Sequence, residues 1–205
     1  MRKLLMTGFD AFGGESVNPA SRAVERLEGK KIGDIEIITK EIPTVFGKAA
    51  EVTREEIDRV EPDIVINVGQ SGGIHAMRIE RLAVNIDDAR IKDNEGNQPS
   101  DEPIAPGGPL AYWATIPVKD IVARLEDKGI PAFVSYTAGT FVCNHVFYAT
   151  THYVKENDLP IQVGFIHVPF LPEQVVDKKP YPVPSMSEET IARALEVAVE
   201  AIAEA

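Results

Sequence analysis

The sequence predicts an α/β fold built in layers, and three observations point to it. Short apolar runs of strand length recur along the chain with helix-patterned segments between them. The chain has 205 residues, 44% of them hydrophobic, enough for one domain with a sizeable core. Its last segment places Ile191, Leu195, Val199 and Ile202 at spacings of four, four and three, the period of an amphipathic helix.

Taken in order, the first strand is expected over residues 3–9 (KLLMTGF), followed by a helix near Ala20 to Leu27. DIEIITKEI (34–42) reads as a strand, Lys48 to Val60 as a helix and DIVINVG (63–69) as the next strand. From Gly69 onward, GQSGGIHAMRIERLAVNID has an ambiguous period. The polar, Pro- and Gly-rich stretch from Asp87 to Pro109 is too long for an idle connection, so it is expected to be a functional loop or to hold short elements. A helix near Val118 to Lys128 ends at Gly129, and IPAFVSY (130–136) reads as a buried strand. A helix then starts near Cys143, with Val146, Phe147, Thr150, Tyr153 and Val154 on its packed side. QVGFIHVPF (162–170) is a further strand, and the C-terminal helix, Ser187 to Ala205, opens on SEE. No repeat, linker or low-complexity tract divides the chain, so 1–205 is expected to be a single domain.

Composition excludes several function classes. The formal net charge is −11, and no basic stripe interrupts it, which argues against nucleic acid as a partner. No stretch approaches the roughly 18 consecutive apolar residues of a membrane span. The start, MRKLLMTGFDAFGG, has too short an apolar region and no small-residue cleavage site for a secretory signal. The single cysteine cannot form an internal disulfide, which fits a reducing compartment. A soluble, cytoplasmic chain with a free thiol is expected.

That cysteine, Cys143, lies where a strand and a TAG turn run into a helix. The unpaired amides and positive dipole end of a helix N-terminus stabilise a thiolate, and the same amides can hold an oxyanion. A small buried hydrophobe is the plainer reading of a lone cysteine, so partners must decide. His167 interrupts the otherwise apolar GFIHVPF near a strand end and is the best candidate base, whereas His145 points elsewhere on the helix and His152 lies two turns beyond. Glu80, in RIERLAVN, is a candidate third group to orient the imidazole. Spacing alone does not choose it over Asp87 or Asp88.

Four ordered blocks carry a resemblance: TGFDAFGG, NVGQSGG followed by RIERLAVNIDDARIKDNEGNQP, SYTAGTFVCN, and GFIHVPFLPEQ. Over essentially its whole length the chain resembles the pyroglutamyl peptidase I family, cysteine peptidases that remove N-terminal pyroglutamate. The resemblance implies a three-layer α/β/α sandwich with a twisted, mostly parallel mixed sheet. It puts the catalytic positions at Glu80, Cys143 and His167, with the Cys143 amide and the Arg90 side chain receiving the oxyanion. It puts the pocket for the lactam ring at Phe9, Phe12, Gln70, Ile91, Phe141 and Val142. It implies peptides with N-terminal pyroglutamate as partners, no metal or other cofactor, and assembly as a homo-oligomer, a tetramer in many members. Two departures stand out. Ala11 occupies a position where proline is common, and PYPVPSMSEE (180–189) lacks the cysteine that links subunits in some heat-stable members, which excludes that disulfide.

Three rival readings are open to the same residues. GQSGG matches G-x-S-x-G directly after a strand, as the nucleophile elbow of a serine esterase with the α/β-hydrolase fold would, and Ser71 would then attack. Against it, the following RIERLAVNI is at least as strand-like as helical. Cys143, His145 and His152 could be metal ligands, but their spacing matches no common zinc pattern. A non-catalytic relative keeping only the fold is the third, and the intact Glu80, Cys143, His167 set argues against it.

Overall fold

A computed structural model describes residues 1–179 and 182–205, so the opening of the 180–189 segment lies outside the described residues. The first half of the chain alternates as its pattern dictates: β1 (Arg2–Phe9), α1 (Pro19–Glu25), β2 (Lys31–Ile32), β3 (Ile35–Ile42), α2 (Lys48–Val60) and β4 (Ile64–Gln70). Asn18 caps α1 by accepting from the Ala20 amide, with Pro19 at the first helical position. β5 (Met77–Glu80), β6 (Leu82–Val84) and β7 (Ala111–Trp113) occupy the stretch of ambiguous period and the far side of the long loop. α3 (Val118–Asp127), β8 (Ala132–Ser135), α4 (Val142–Glu156), β9 (Gln162–Val168), the single turn α5 (Pro172–Val175) and α6 (Glu188–Glu204) follow. Gly129, at φ 72°, ends α3 where the sequence placed its stop.

Seven strands form one sheet in the order β2-β3-β1-β4-β9-β5-β8. The pairs β3–β1, β1–β4, β4–β9 and β5–β8 are parallel, while β2–β3 and β5–β9 are antiparallel. Connection length explains the reversal at β5. Parallel strands need a crossover of a dozen or more residues, and only Ser71 to Ala76 separate β4 from β5. Helices α1, α3 and α6 pack together over one face of the sheet, and α2 packs on α4 over the other, which makes the three layers.

Strand β1 shows why both layers are needed. Leu4 and Met6 belong to the main apolar cluster, while Leu5, between them, packs with Ile57 of α2 and Val65. Alternate side chains of a strand point to opposite faces, so a run buried throughout must be covered twice. The C-terminal helix buries Ile191, Leu195, Val199 and Ile202 and is capped by Ser187, which accepts from the Thr190 amide. Among the described residues, no helix is long and apolar enough to cross a membrane.

The elements the sequence hid are short ones. Strands β6 and β7 pair as a two-stranded sheet across the long loop, with Leu82 opposite Trp113. The loop itself is held by polar bonds: Asp93 accepts from the amides of Phe46, Glu95 and Asn97, and Asn85 exchanges bonds with Ala105.

Layer spacing generates a test. A methyl group on Gly8 of β1 would lie 2.7 Å from the Ser21 Cα of α1, a backbone atom that cannot swing aside. Gly8→Ala is expected to lower stability by about 1–3 kcal/mol, read as a lower midpoint in urea unfolding.

Candidate active site

Glycine decides where the sulfur sits. The TAG turn, with Gly139 at φ 79°, brings the chain from β8 to α4, and Phe141 serves as N-cap without any side-chain bond to the first helical amides. Those amides remain donors for an anion. Cys143 is half-buried in the first turn of α4, over Gly69 of β4. A Cβ on Gly69 would stand 2.8 Å from the Cys143 Sγ and 2.9 Å from the Phe165 ring, so only glycine admits the thiol there.

Register supplies its partners. Gly69 of β4 lies beside His167 of β9, and their side-chain directions coincide. In the antiparallel pair β5–β9, Glu80 stands opposite Phe165, and so reaches His167 on the diagonal. The His167 Nδ1–H donates to Glu80 Oε1 at 2.9 Å, which leaves Nε2 for the hydrogen bond with Cys143. Glu80 is 0% exposed, and its Oε2 has no hydrogen-bond partner among the described residues. The Phe165 ring lies 4.7 Å from the imidazole and fixes its plane. Burial alone would pull the His167 pKa down. The charge and hydrogen bond of Cys143, then those of Glu80, outweigh it, and the pKa is raised to about 9.

Cys143 and His167 open on a cleft of about 680 Å³, with Glu80 sealed behind them. Phe12, Gln70, Arg90, Ile91 and Phe141 line it. The Phe12 and Phe141 rings stand 6.1 Å apart, and Phe46 braces Phe141 edge-on at 5.3 Å. Two expectations need correction. Phe9 is 1% exposed and packs 6.5 Å from the Phe165 ring behind the histidine, because its parity on β1 turns it inward. Val142, at the start of α4, is wholly buried in the core. Neither side chain walls the cleft.

Other functional neighbours escaped the sequence reading. Phe170 lines the cleft and packs over Gly72, where a Cβ would strike its ring. Asn144, beside the cysteine, binds the Val84 amide and the Val84 and Ile86 carbonyls, which ties α4 to the segment leading to Arg90. Polar residues flanking a nucleophile and a phenylalanine two residues past a strand were the available signals.

The rival constellations come apart. No helix follows Ser71: a turn leads straight to β5. His145 donates from Nδ1 to Asp87 at 2.8 Å and accepts the Gly47 amide at Nε2, while His152 pairs with Tyr112. Neither turns to Cys143, and among the described residues no three His, Cys, Asp or Glu side chains are grouped so as to hold a metal ion.

What remains is a nucleophile, a base, a group that orients the base, and free helix amides for an oxyanion, the parts of a thiol acyl-transfer site. Gly69→Ala is expected to push Cys143 off His167 and slow its alkylation by iodoacetamide about tenfold near neutral pH, with far-UV circular dichroism unchanged.

Comparison with known proteins gives the family and bears out the fold. A family model described as pyroglutamyl peptidase matches residues 2–205. A pyrrolidone-carboxylate peptidase of Bacillus cereus (strain G9842) is 55% identical over 201 residues, covering 98% of this chain and 92% of that protein. The crystal structure of Bacillus amyloliquefaciens pyroglutamyl peptidase I superposes with a TM-score of 0.96 at 48% identity, over 100% of this chain and 98% of that one. A mutant pyrrolidone carboxyl peptidase from the hyperthermophile Pyrococcus furiosus also reaches 0.96, at 48% identity and 98% coverage of both chains. With the family model spanning nearly the whole chain, and sequence, fold and length all in agreement, the chain belongs to the pyroglutamyl peptidase family.

Proposed function

We propose that the protein is a cysteine omega-peptidase that hydrolyses the bond between an N-terminal pyroglutamyl residue and the rest of a peptide or amide, over a single domain spanning 1–205. The observation that carries this reading is the Glu80–His167–Cys143 line, whose histidine and cysteine meet a cleft lined by Phe12 and Phe141. A continuous apolar cluster running from Leu4 to Ile202 supports the single domain.

In this mechanism the Cys143 thiolate, paired with protonated His167, attacks the pyroglutamyl carbonyl. The carbonyl π electrons move to oxygen, and the Cys143 amide with Arg90 receives the charge. His167 gives its proton to the leaving nitrogen as the C–N bond breaks, which leaves a thioester. It then takes a proton from water, which attacks the thioester; the C–S bond breaks, pyroglutamate is freed, and the thiolate beside protonated His167 is restored. Glu80 keeps the Nδ1 proton in place and stabilises the imidazolium. The lactam is neutral and lacks a free amine, so recognition rests on shape and hydrogen bonds between the Phe12 and Phe141 rings, beside Gln70 and Ile91.

A nucleophilic thiol works only while reduced, which supports a cytoplasmic site of action. Assembly as a homo-oligomer, tetrameric by the family resemblance, belongs to the same proposal. The open edge strand β8, which exposes Phe133 within it and Tyr136 just beyond its end, supports it.

Release of a chromophoric amine from a pyroglutamyl amide tests the reading. Cys143→Ala is expected to abolish release with an unchanged melting temperature, Glu80→Gln to reduce kcat by about 10²–10⁴-fold, and Ser71→Ala to leave turnover in place. Loss through Ser71→Ala with Cys143→Ala still active would reverse the assignment.

The pH profile is a second test. His167 holds its proton below about 9 and loses it above, so the leaving nitrogen loses its acid there. An alkaline fall in kcat/KM centred near pH 9 is expected. Glu80→Gln, which removes one of the charges that raise the imidazole, should move that fall to lower pH.

A further inference from the structure

Gln70 meets the cleft at the C-terminal end of β4. A side-chain amide donates at one end and accepts at the other, so what it offers a ligand depends on which end its neighbours hold. Here a backbone amide settles the matter. The Leu171 N–H donates to Gln174 Oε1 at 2.9 Å, and a backbone N–H cannot accept, so the Gln174 oxygen must face it. The Gln174 nitrogen then faces three acceptors: Gln70 Oε1 at 2.8 Å, and Glu15 Oε2 and the Val17 carbonyl at 3.3 Å each. Gln70 is held by its oxygen, and among the described residues its nitrogen is left as the free end of the amide.

The relay is braced against rotation. Gln174 is 8% exposed, and Glu15 is engaged by the Lys178 ammonium, which lies 4.8 Å over the Phe170 ring. Turning Gln174 over would set its oxygen against three acceptors and its nitrogen against an N–H, leaving several buried groups unpaired.

We propose that Gln174 is a positioning residue for specificity, which fixes Gln70 so that the cleft offers an N–H donor to the ring carbonyl of the pyroglutamyl group. The proposal rests on the peptidase reading above. The five-membered ring of proline has the same size without that carbonyl, and a site that presents a buried donor disfavours the ring that cannot accept from it. Shape from Phe12 and Phe141 selects a flat ring, and the oriented amide selects the lactam.

A double-mutant cycle tests this on the full chain with pyroglutamyl 4-nitroanilide, using Gln174→Glu, Gln70→Met and the two combined. In Gln174→Glu the Leu171 N–H still finds an oxygen, but the second oxygen accepts from Gln70, which must turn its nitrogen away from the cleft. KM is expected to rise about tenfold with kcat within about threefold. In the Gln70→Met background the same change should move KM by less than about twofold, although the introduced carboxylate still faces Glu15 there. Gln174→Met removes the relay without adding charge, covers the case in which Gln174→Glu does not fold, and is expected to raise KM about threefold. Equal losses in both backgrounds, an unchanged KM, or a fall in kcat at constant KM would overturn the role of Gln174. A wild type that releases no amine would instead overturn the peptidase reading itself.

Discussion

A carboxylate sealed from water is costly unless a cation and hydrogen bonds answer it, and Glu80 is sealed completely. Its hydrogen-bond partner is His167, and the imidazolium has Cys143 on its other side. One cation between two groups that favour it is what raises the histidine pKa against the pull of burial. The rest of the fold serves that line. Reversal of β5 after a six-residue connection sets Glu80 on the diagonal to His167, and the bare Cα of Gly69 leaves the sulfur its place above the sheet. A parallel β5 would have needed a crossover that the chain between Gln70 and Met77 is too short to make.

Much of this was legible in the residues because the patterns were long or chemically singular. The strands β1, β4 and β9 carry apolar runs, β3 mixes apolar and polar residues over a strand length, and α2, α3 and α6 carry a clear helical period, so each lies within a few residues of its expected place. Cys143 announced itself by being alone, and His167 by interrupting an apolar strand. Glu80 was different. Nothing local separates it from Asp87 or Asp88, and the choice is made by strand pairing, a contact across 87 residues. Family resemblance supplied it before geometry did. Asp87 turns out to hold His145, which gives that acid a structural occupation of its own.

Failures of legibility share a cause. Strands of two or three residues, such as β2, β6 and β7, are too short to show a period, and they exist because neighbours pair with them. Val142 stands between Phe141 and Cys143 in the chain and Phe9 three residues before Phe12, yet side-chain direction sends both into the core. Gln174 belongs to a single helical turn whose role depends on a tertiary amide contact, which no local signal encodes.

The polar fastening of the long loop bears on how a small ligand can be recognised at all. Arg90 and Ile91 sit between anchors at Asn85 and Asp93, so the ordering entropy of that wall is spent when the chain folds. A lactam ring has few heavy atoms, and even the best small ligands gain no more than about 1.5 kcal/mol from each. Such a ligand has little to spare for freezing a mobile wall around itself. A receptor site for it must already have its final shape before the encounter, and this loop is built to that specification.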